Sequence, residues 1–412
     1  MSARSLSLHG AAQILRPPSD GLPWLRGHDI SAQTLEPGDL VVRDGLIAGL
    51  GGDRGSDIVV DARGCAIVPG FVDCHTHLPF AGWREGEYEQ KLAGVGYESI
   101  SRSGGGIAAS ARALAESSDE AVLAQAEELA AGTTSFETKS GYGLSRAGEL
   151  RALRLARELG SRVAQTTLST GLLAHAVPAG FTADEWMAEV EAMIPEVLAS
   201  GSVSALDIFV ESIAFSNRQL ERMGALAAAG GLALRTHVEQ FASHRSVPVA
   251  LDAGARSVDH LSMLAPEDVP ALGAAACAAV LLPVAEFMGA EHRAPGRALL
   301  DAGALMVLAT DANPGTAPVV SMPLVVGLGA RLYTMSVRET LAAVTLNAAW
   351  TLGFERTRGS IEPGKQADLL LLDGPVEAIA YRLGRNPVLA AFIAGEPVFV
   401  RDAAAAARIT RR

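Results

Sequence analysis

The segment PGFVDCHTHLPFAGWREGEYE, residues 69–89, places an apolar run of strand length directly before two histidines that are one residue apart. Because successive side chains of a strand point to opposite faces, His75 and His77 can both point to the same side. Two imidazoles at one strand end are candidate metal ligands, and hydrogen-bonded core histidines are the alternative. The segment also contains Arg84, whose role the histidine pair alone does not explain.

Seven further apolar runs of strand length follow the first, and most are separated by stretches of helical period, such as 118–132 and 146–159. Strands that alternate with helices indicate parallel strands joined by crossovers, in an open sheet or a closed (β/α)8 barrel. The strand candidates are FVDCHTH (71–77), GTTSFET (132–138), VAQTTLS (163–169), ALDIFVE (205–211), LALRTHVE (232–239), RSVDHL (256–261), AAVLLPV (278–284) and LMVLATD (305–311).

Both ends of the chain are richer in short strands and turns. DLVVRDGLIAGLGG (39–52) predicts a hairpin that turns at Asp44-Gly45, and short apolar runs return after GSIEPGKQADLLLLDG (359–374). The two end regions could therefore complete one small β domain beside the α/β region. The predicted boundaries are 1–66, 67–362 and 363–412. The alanine-rich tail that ends in RITRR is expected to fray.

The composition excludes several classes of protein. Hydrophobic residues make up 49% and charged residues 19% of the 412 residues, which is typical of a folded globular chain. The net charge of −12 argues against a nucleic-acid partner, which would need a basic face. We expect no signal peptide and no membrane span. Three scattered cysteines (Cys65, Cys74 and Cys277) fit a reducing cytoplasm, so a cytoplasmic protein is expected.

Three more polar residues stand where later apolar runs end, namely His237, His260 and Asp311. In a (β/α)8 barrel these are the carboxyl ends of strands, where active sites are assembled. Three imidazole nitrogens and one carboxylate suit one zinc or iron(II) ion and leave a position for water. Such an ion lowers the pKa of its water towards neutrality, which predicts a hydrolase of amide-like or amidine-like bonds. His260 and Asp311 are the candidate bases, and His260 could instead orient a ligand.

Longer strings resemble the amidohydrolase superfamily over about residues 40–400 and, within it, the imidazolonepropionase family. VPGFVDCHTHL, LRTH, SVDHL, LATDANPG and GSIEPGKQADLLLLD are similar to superfamily strings. The strings FAGWREGEYEQKLAGVGYESISRSGGGI (80–107), ETKSGYGL (137–144), LLAHAVP (172–178), DANPG (311–315) and LGRNPV resemble the family. KSGYGL together with AHAVP is much more specific than the HxH pair.

This resemblance implies the fold class α/β, a (β/α)8 TIM-like barrel with a small β-sandwich domain built from both chain ends. It also implies hydrolytic opening of the ring of 4-imidazolone-5-propanoate to N-formimidoyl-L-glutamate, with one zinc or iron ion per chain. The implied metal ligands are His75, His77, His237 and Asp311. The implied substrate-binding residues are Arg84 at the propionate carboxylate, Tyr97 and Tyr142 in the pocket, His175 at the ring, and Asn313, Gly315 and Thr316 in the substrate loop. The expected partners are a small molecule that bears a carboxylate and a second copy of the chain in a homodimer.

Two positions depart from the family's pattern. Gln240 stands where some relatives carry glutamate, and a glutamine can hydrogen-bond the ring but cannot act as a base. The base role therefore shifts towards His260 and Asp311. Leu173 stands where glycine is usual, which would narrow the pocket. Lys139 lies in the family's substrate motif and is not predicted to be a ligand.

Two other functions stay open at this point. Another mononuclear amidohydrolase, such as a deaminase of a cyclic amidine or purine-like base, would share the metal ligands, and only Arg84, Tyr142 and His175 argue against it. The second alternative is a catalytically silent member of the superfamily that binds a partner. The four intact ligand positions argue against this alternative.

Overall fold

The chain forms two β-sheets over residues 5–129, 133–289 and 291–412, the part of the chain that this computed structural model describes. Its strands are β1 (Ser5–Arg16), β2 (Thr34–Arg43), β3 (Leu46–Leu50), β4 (Ile58–Asp61), β5 (Ala66–Pro69), β6 (Val72–Asp73), β7 (Ser135–Lys139), β8 (Thr166–Ala174), β9 (Ala205–Val210), β10 (Ala233–Val238), β11 (Ser257–His260), β12 (Ala278–Leu281), β13 (Leu305–Leu308), β14 (Leu369–Leu372), β15 (Val388–Ile393), β16 (Glu396–Val400) and β17 (Ile409–Arg411).

The helices lie mostly between the strands of the second sheet and after it. They are α1 (His28–Ser31), α2 (Glu85–Leu92), α3 (Tyr97–Arg102), α4 (Ile107–Glu116), α5 (Asp119–Leu129), α6 (Arg146–Arg162), α7 (Ala183–Ala199), α8 (Asn217–Gly230), α9 (Ser246–Asp252), α10 (Val269–Ala274), α11 (Pro283–Phe287), α12 (Gly296–Asp301), α13 (Met322–Leu332), α14 (Val337–Ala343), α15 (Leu346–Thr351), α16 (Glu377–Tyr381) and α17 (Ala403–Ala406). Across the described ranges, no helix is long and apolar enough to cross a membrane.

The second sheet confirms the predicted barrel. Its eight strands, β6 to β13, are neighbours in chain order, and the described pairs from β8 to β13 are parallel. The two ends of the sheet meet, because the backbone N–H of Asp311 donates to the carbonyl of His75 at 2.9 Å and that of His77 donates to Ala312 at 2.9 Å. All the predicted strand runs contribute to this barrel, so polar residues at their carboxyl ends face one another.

The first sheet is the extra β domain, and it joins both ends of the chain. Its nine strands follow the order β16-β15-β14-β5-β1-β2-β3, and β4 pairs with β1 and β17. The predicted hairpin is present, since β2 and β3 are antiparallel on either side of Asp44 and Gly45. Both turn residues have positive φ, 54° and 78°, as a tight two-residue hairpin turn requires.

The end of the chain is ordered, and the expectation that it frays is wrong. Asp402 accepts a hydrogen bond from the backbone N–H of Ala405 at 2.8 Å and caps α17. Beyond this helix, β17 pairs antiparallel with β4, with Ile409 opposite Val60. An edge strand was available to accept the tail, and composition alone did not show that edge.

The chain folds into two compact units, each made of segments that are distant in sequence. One unit holds Met1–Cys74, Ala131–Ser135 and Ser321–Arg412, and the other holds His75–Ala130 and Phe136–Val320. The boundaries 1–66, 67–362 and 363–412, which rest on sequence motifs, stay a prediction.

Candidate metal and substrate site

Four polar side chains converge at the carboxyl ends of the barrel strands. His75 and His77 follow β6, His237 lies in β10 and Asp311 follows β13. One nitrogen of each histidine lies within 4.8 Å of the others. Oδ1 of Asp311 is 3.2 Å from Nε2 of His77 and 3.5 Å from Nε2 of His75. All four residues are buried, and their atoms are close enough to hold one metal ion.

The chemistry of these donors fits a divalent ion. Nε2 of His75 and of His237 are buried and have no hydrogen-bond partner among the described residues, although buried polar atoms are normally paired. Burial lowers the pKa of His75 and His77, so both rings are neutral and keep a lone pair for a metal. Neutral imidazoles with one carboxylate are a donor set that zinc and iron(II) accept.

Two carboxylates orient the histidines from behind. Nδ1 of His75 lies 2.6 Å from Oδ2 of Asp259, and Nδ1 of His237 lies 3.1 Å from Oδ1 of Asp207. A carboxylate can only accept, so each Nδ1 carries the proton and each Nε2 is left with its lone pair facing the site. This arrangement fixes the tautomer and the orientation of both rings before any ion binds.

These carboxylates belong to a buried set of charges that we call the lysine-centred network, formed by Glu137, Lys139, Asp207, Arg235 and Asp259. Nζ of Lys139 lies 2.7 Å from Asp207 and 3.0 Å from Glu137. Nη1 of Arg235 lies 2.6 Å from Glu137, and its Nη2 is 3.6 Å from Asp259. Each side chain of the network is at most 1% exposed, and each lies near a side chain of opposite charge. Such pairing is what buried charges require.

Sequence reasoning missed the supporting role of this network. A signal was present, because these charged residues interrupt otherwise apolar strands and Arg235 precedes His237 by two residues. Residues two apart share a face of a strand, so a charge on that face must also be buried. The pairing across the barrel, for example of Lys139 with Asp207, depends on strand order and register.

His260 ends β11 beside the histidine cluster. Its ring centroid is 5.4 Å from that of His237 and 5.8 Å from that of His75. Burial lowers the pKa of His260 to about 3, with the charge of Asp311 acting in the opposite direction. The ring is therefore neutral near pH 7, and a neutral imidazole can accept a proton.

One narrow cavity, which we call the inner cavity, brings most of the predicted residues together. Only His75, which lies behind the other ligands, and Gly315 are missing from its wall among the predicted residues. The predicted residues that line it are His77, Arg84, Tyr97, Tyr142, His175, His237, Gln240, His260, Asp311, Asn313 and Thr316.

Arg84 points a buried guanidinium into this cavity. Its Nε and Nη1 have no hydrogen-bond partner within the described ranges, and its nearest carboxylate oxygen, Oε2 of Glu87, is 3.7 Å from Nε. Burial acts to lower the pKa of Arg84, but Tyr97, Tyr142 and Glu87 outweigh it, so the pKa is raised. A charged guanidinium that keeps unused donors can bind a carboxylate through two hydrogen bonds. The side chain is 7% exposed, so Arg84 is not a surface residue.

The loop after Asp311 is shaped to hold Arg84. The side-chain oxygen of Asn313 accepts hydrogen bonds from the backbone N–H groups of Gly315 and Thr316 at 2.9 and 2.8 Å. The guanidinium lies directly on Gly315, where a Cβ atom would be 1.6 Å from Nη2 of Arg84. The glycine therefore allows the close approach that a side chain would block.

Aromatic rings form the rest of the wall. His175 stacks on His77 with ring centroids 5.1 Å apart, and Tyr142 lies 5.8 Å from His77. Nδ1 of His175 is 3.0 Å from the carbonyl of Gly141, so Nδ1 donates and Nε2 stays an acceptor. Tyr97 stacks on Phe241 with centroids 4.9 Å apart. These rings give a flat, largely apolar slot of the kind that a planar ligand ring can enter.

The two positions that depart from the family's pattern differ in their surroundings. Gln240 lines the inner cavity, and its backbone N–H donates to Oε1 of Glu211 at 3.1 Å. Leu173 does not line this cavity. Its carbonyl accepts a hydrogen bond from Nε1 of Trp186 at 2.9 Å, and its side chain is 1% exposed.

The chain matches the model of the amidohydrolase family over residues 66–398. It is 41% identical over 415 residues to an imidazolonepropionase of Rubrobacter xylanophilus, which covers 96% of this chain and 99% of the relative. It is 40% identical over 394 residues to an imidazolonepropionase of Cupriavidus taiwanensis, covering 90% of this chain and 94% of the relative.

Solved structures share the fold at low sequence identity. An adenosine deaminase from Xanthomonas campestris with bound zinc superposes with a TM-score of 0.66 at 20% identity, covering 98% of this chain and 96% of that one. Guanine deaminase of E. coli superposes with a TM-score of 0.65 at 16% identity, covering 96% of this chain and all of that one.

Proposed function

Because the chain belongs to the imidazolonepropionase family of amidohydrolases, we propose that it opens the ring of 4-imidazolone-5-propanoate with water and releases N-formimidoyl-L-glutamate. The enzyme is a hydrolase that acts on C–N bonds. The observation that carries the choice of substrate is Arg84, a buried guanidinium beside a cluster of metal-type donors; two of its nitrogens have no hydrogen-bond partner in the described part of the chain. A substrate with one carboxylate and one hydrolysable ring satisfies both groups at once.

The metal centre in this proposal is one zinc or iron ion per chain, held by His75, His77, His237 and Asp311. When bound, such an ion activates water and polarises the ring carbonyl. The chain prepares this site through Asp259 and Asp207, which hold His75 and His237 with their acceptor nitrogens turned inwards.

The substrate would lie with its propionate carboxylate on Arg84. The guanidinium packs on Gly315, in the turn where Asn313 accepts hydrogen bonds from the backbone N–H groups of Gly315 and Thr316. The planar ring would then lie among the aromatic side chains, where Nε2 of His175 is available as an acceptor. The residues assigned to the ring and its surroundings are Tyr97, Tyr142, His175 and Gln240.

The reaction needs one group that removes a proton and one that returns it. The oxygen of water bonds to the ring carbonyl carbon, the bond from that carbon to the ring nitrogen breaks, and the nitrogen takes a proton. We assign that proton to His260 or Asp311, because His260 is buried beside the ligand histidines and Asp311 is itself a proposed ligand. Gln240 can donate or accept a hydrogen bond but cannot change its charge.

Two properties outside the site complete the proposal. We place the enzyme in the cytoplasm, because Cys65, Cys74 and Cys277 are all buried and form no disulfide with one another. We also propose a homodimer that acts on a small carboxylate-bearing substrate, with neither nucleic acid nor membrane as partner.

The deciding experiment supplies the purified protein, loaded with zinc or iron(II), with 4-imidazolone-5-propanoate and measures N-formimidoyl-L-glutamate. Elemental analysis should give close to one metal ion per chain, and the double variant His75→Ala with His77→Ala should lose both metal and activity. Purines and pyrimidines serve as control substrates. Deamination of one of these without ring opening of the imidazolone would overturn the function, and two metal ions per chain would overturn the mononuclear site.

A further inference from the structure

Lys91 is unusual among the lysines of this chain. The sequence has only three, at positions 91, 139 and 365. Lys139 is bound by Glu137 and Asp207, and Lys365 lies 2.8 Å from Oε1 of Glu362. Lys91 forms no ion pair or hydrogen bond with the described residues, although its side chain is partly buried. Its nearest described partner is the face of Tyr97, whose ring centroid is 5.5 Å from Nζ.

Lys91 lines a second cavity, the outer cavity, with a volume of about 260 Å³. Tyr97, Gln240, Phe241, His260 and Thr316 line both the outer and the inner cavity, so the two adjoin. Arg84 lines the inner cavity and Lys91 the outer one. A ligand that leaves the metal ligands on this side therefore passes from the first cation to the second.

The two cations lie at opposite ends of one short helix. Arg84 is the N-cap of α2, and Lys91 is in its last turn. Seven residues correspond to about 10 Å along a helix axis, so the backbone positions of the two cations are separated by about that distance. Burial and the charge of Arg84 lower the pKa of Lys91, and the charges of Glu87 and Asp311 act in the opposite direction. Glu286, which also lines the outer cavity, accepts hydrogen bonds from Ser262 and from the backbone N–H of Ala294.

Hydrolysis changes the charge of the ligand in a way that matches this pair. The substrate of the proposed reaction has one carboxylate, whereas the product has two, because the ring carbonyl becomes a carboxylate. The two carboxyl carbons of a glutamate-type molecule lie about 5 Å apart when extended. With a contact of about 3 Å at each end, such a dicarboxylate spans cations that are about 10 Å apart.

We propose that Lys91 and the outer cavity form a second anion site, which holds the carboxylate created by hydrolysis while Arg84 holds the carboxylate already present in the substrate. This inference rests on the proposed function, since it takes its ligand from that reaction. The site discriminates product from substrate by charge: a monocarboxylate uses Arg84 alone, and a dicarboxylate uses both cations. Lys91 thereby gives the product a route away from the metal ligands.

A pair of ligands tests the site without turnover. N-formyl-L-glutamate and 4-formamidobutanoate differ only by one carboxylate, and each is titrated by calorimetry into the metal-loaded enzyme. We expect the wild type to bind the dicarboxylate about five- to tenfold more tightly, as for a partly buried ion pair. In Lys91→Met this preference should fall to about one, while affinity for the monocarboxylate stays the same, and Lys91→Arg should keep most of the preference.

Arg102→Met is the matched control, because it removes one positive charge from an exposed ion pair with Glu98, which is not part of either cavity. It should keep the full preference. A preference that survives in Lys91→Met would overturn the site and assign the new carboxylate to the metal or another group. Equal binding of both ligands by the wild type, or no binding of either, would overturn it too. Because ring opening is assayed separately, failure of the proposed reaction is distinguishable from failure of this site.

Discussion

The lysine-centred network and the inner cavity are both buried and both charged, but they differ in how closely their cations approach carboxylates. In the network, Lys139 contacts two carboxylates at 2.7 and 3.0 Å and Arg235 contacts Glu137 at 2.6 Å. In the cavity, Arg84 keeps two nitrogens without partners, and Nε2 of His237 is also unpaired among the described residues. Unpaired buried polar groups lower the free energy of unfolding. We therefore infer that the close ion pairs of the network stabilise the fold, whereas the unpaired nitrogens of the cavity are available to bind a ligand.

The largest effect on stability is expected from Lys139→Met. The variant leaves Glu137, Asp207 and Asp259 with Arg235 as their only cation in the network, and an uncompensated buried charge costs about 3–5 kcal/mol. Urea unfolding of the metal-free protein should show this loss of free energy of unfolding. Removing the metal first separates the loss of the ion pairs from any loss of metal.

The control for that experiment is Arg146→Met, which breaks a pair with Glu196 in which both side chains are about half exposed (49% and 54%). An exposed pair contributes about 1 kcal/mol or less. If Lys139→Met were no more harmful than Arg146→Met, the network would not support the fold.

Arg84→Ala should give the opposite result, a large loss of activity with little loss of stability. Without the guanidinium, the substrate's carboxylate has no buried partner. The loss should raise the free energy of the transition state by about 3 kcal/mol and lower kcat/KM by about two orders of magnitude. The free energy of unfolding should change by less than about 1 kcal/mol, because Nε and Nη1 of Arg84 have no hydrogen-bond partner among the described residues.

An imidazolone that lacks the propionate is the control substrate for this variant. Wild type and Arg84→Ala should turn it over at similar rates. An equal loss on both substrates would show that Arg84 acts on the ring or on the fold rather than on the carboxylate.

The same contrast explains which parts the sequence could predict. Strand runs and helical stretches indicated the barrel, and barrel geometry placed His237 and Asp311 near the HxH pair from the sequence alone. The candidate metal ligands could be singled out because each stands at a strand end, where a polar residue is conspicuous. The resemblance to a family added Arg84 and the aromatic residues, whose convergence no spacing in the sequence indicates.

The lysine-centred network and the ordered tail could not be predicted from the sequence, and the reason is physical. Lys139 and Asp207 are 68 residues apart in sequence, and their contact depends on the order and register of the barrel strands. The tail pairs with β4 through backbone hydrogen bonds, which carry little side-chain signal. Both features are pairings over long distances in sequence, whereas strand ends and turns are local.

Asp259→Asn tests the link between the network and the metal site, because Asp259 belongs to the network and orients His75, a predicted metal ligand. The amide keeps the shape but loses the negative charge that fixes the Nδ1 proton of His75 at 2.6 Å. Metal affinity should fall about 10- to 100-fold, as for other groups that orient ligand histidines. Competition with a chelator measures it, and Asp252→Asn, at an exposed position, should leave it unchanged. Unchanged metal affinity in Asp259→Asn would show that the network does not orient the metal ligands.

Gly315→Ala tests how closely the cavity is fitted around Arg84 and should have the smallest effect. The new Cβ would lie 1.6 Å from Nη2, so the flexible guanidinium must move away and meet the carboxylate in a poorer geometry. We expect KM to rise about tenfold, or about 1.4 kcal/mol, with kcat changing less. In an Arg84→Ala background the same substitution should add almost nothing, because the group it displaces is absent. Independent effects in the double variant would mean that Gly315 acts on the substrate itself, so that the loop, and not only the arginine, contacts the ligand.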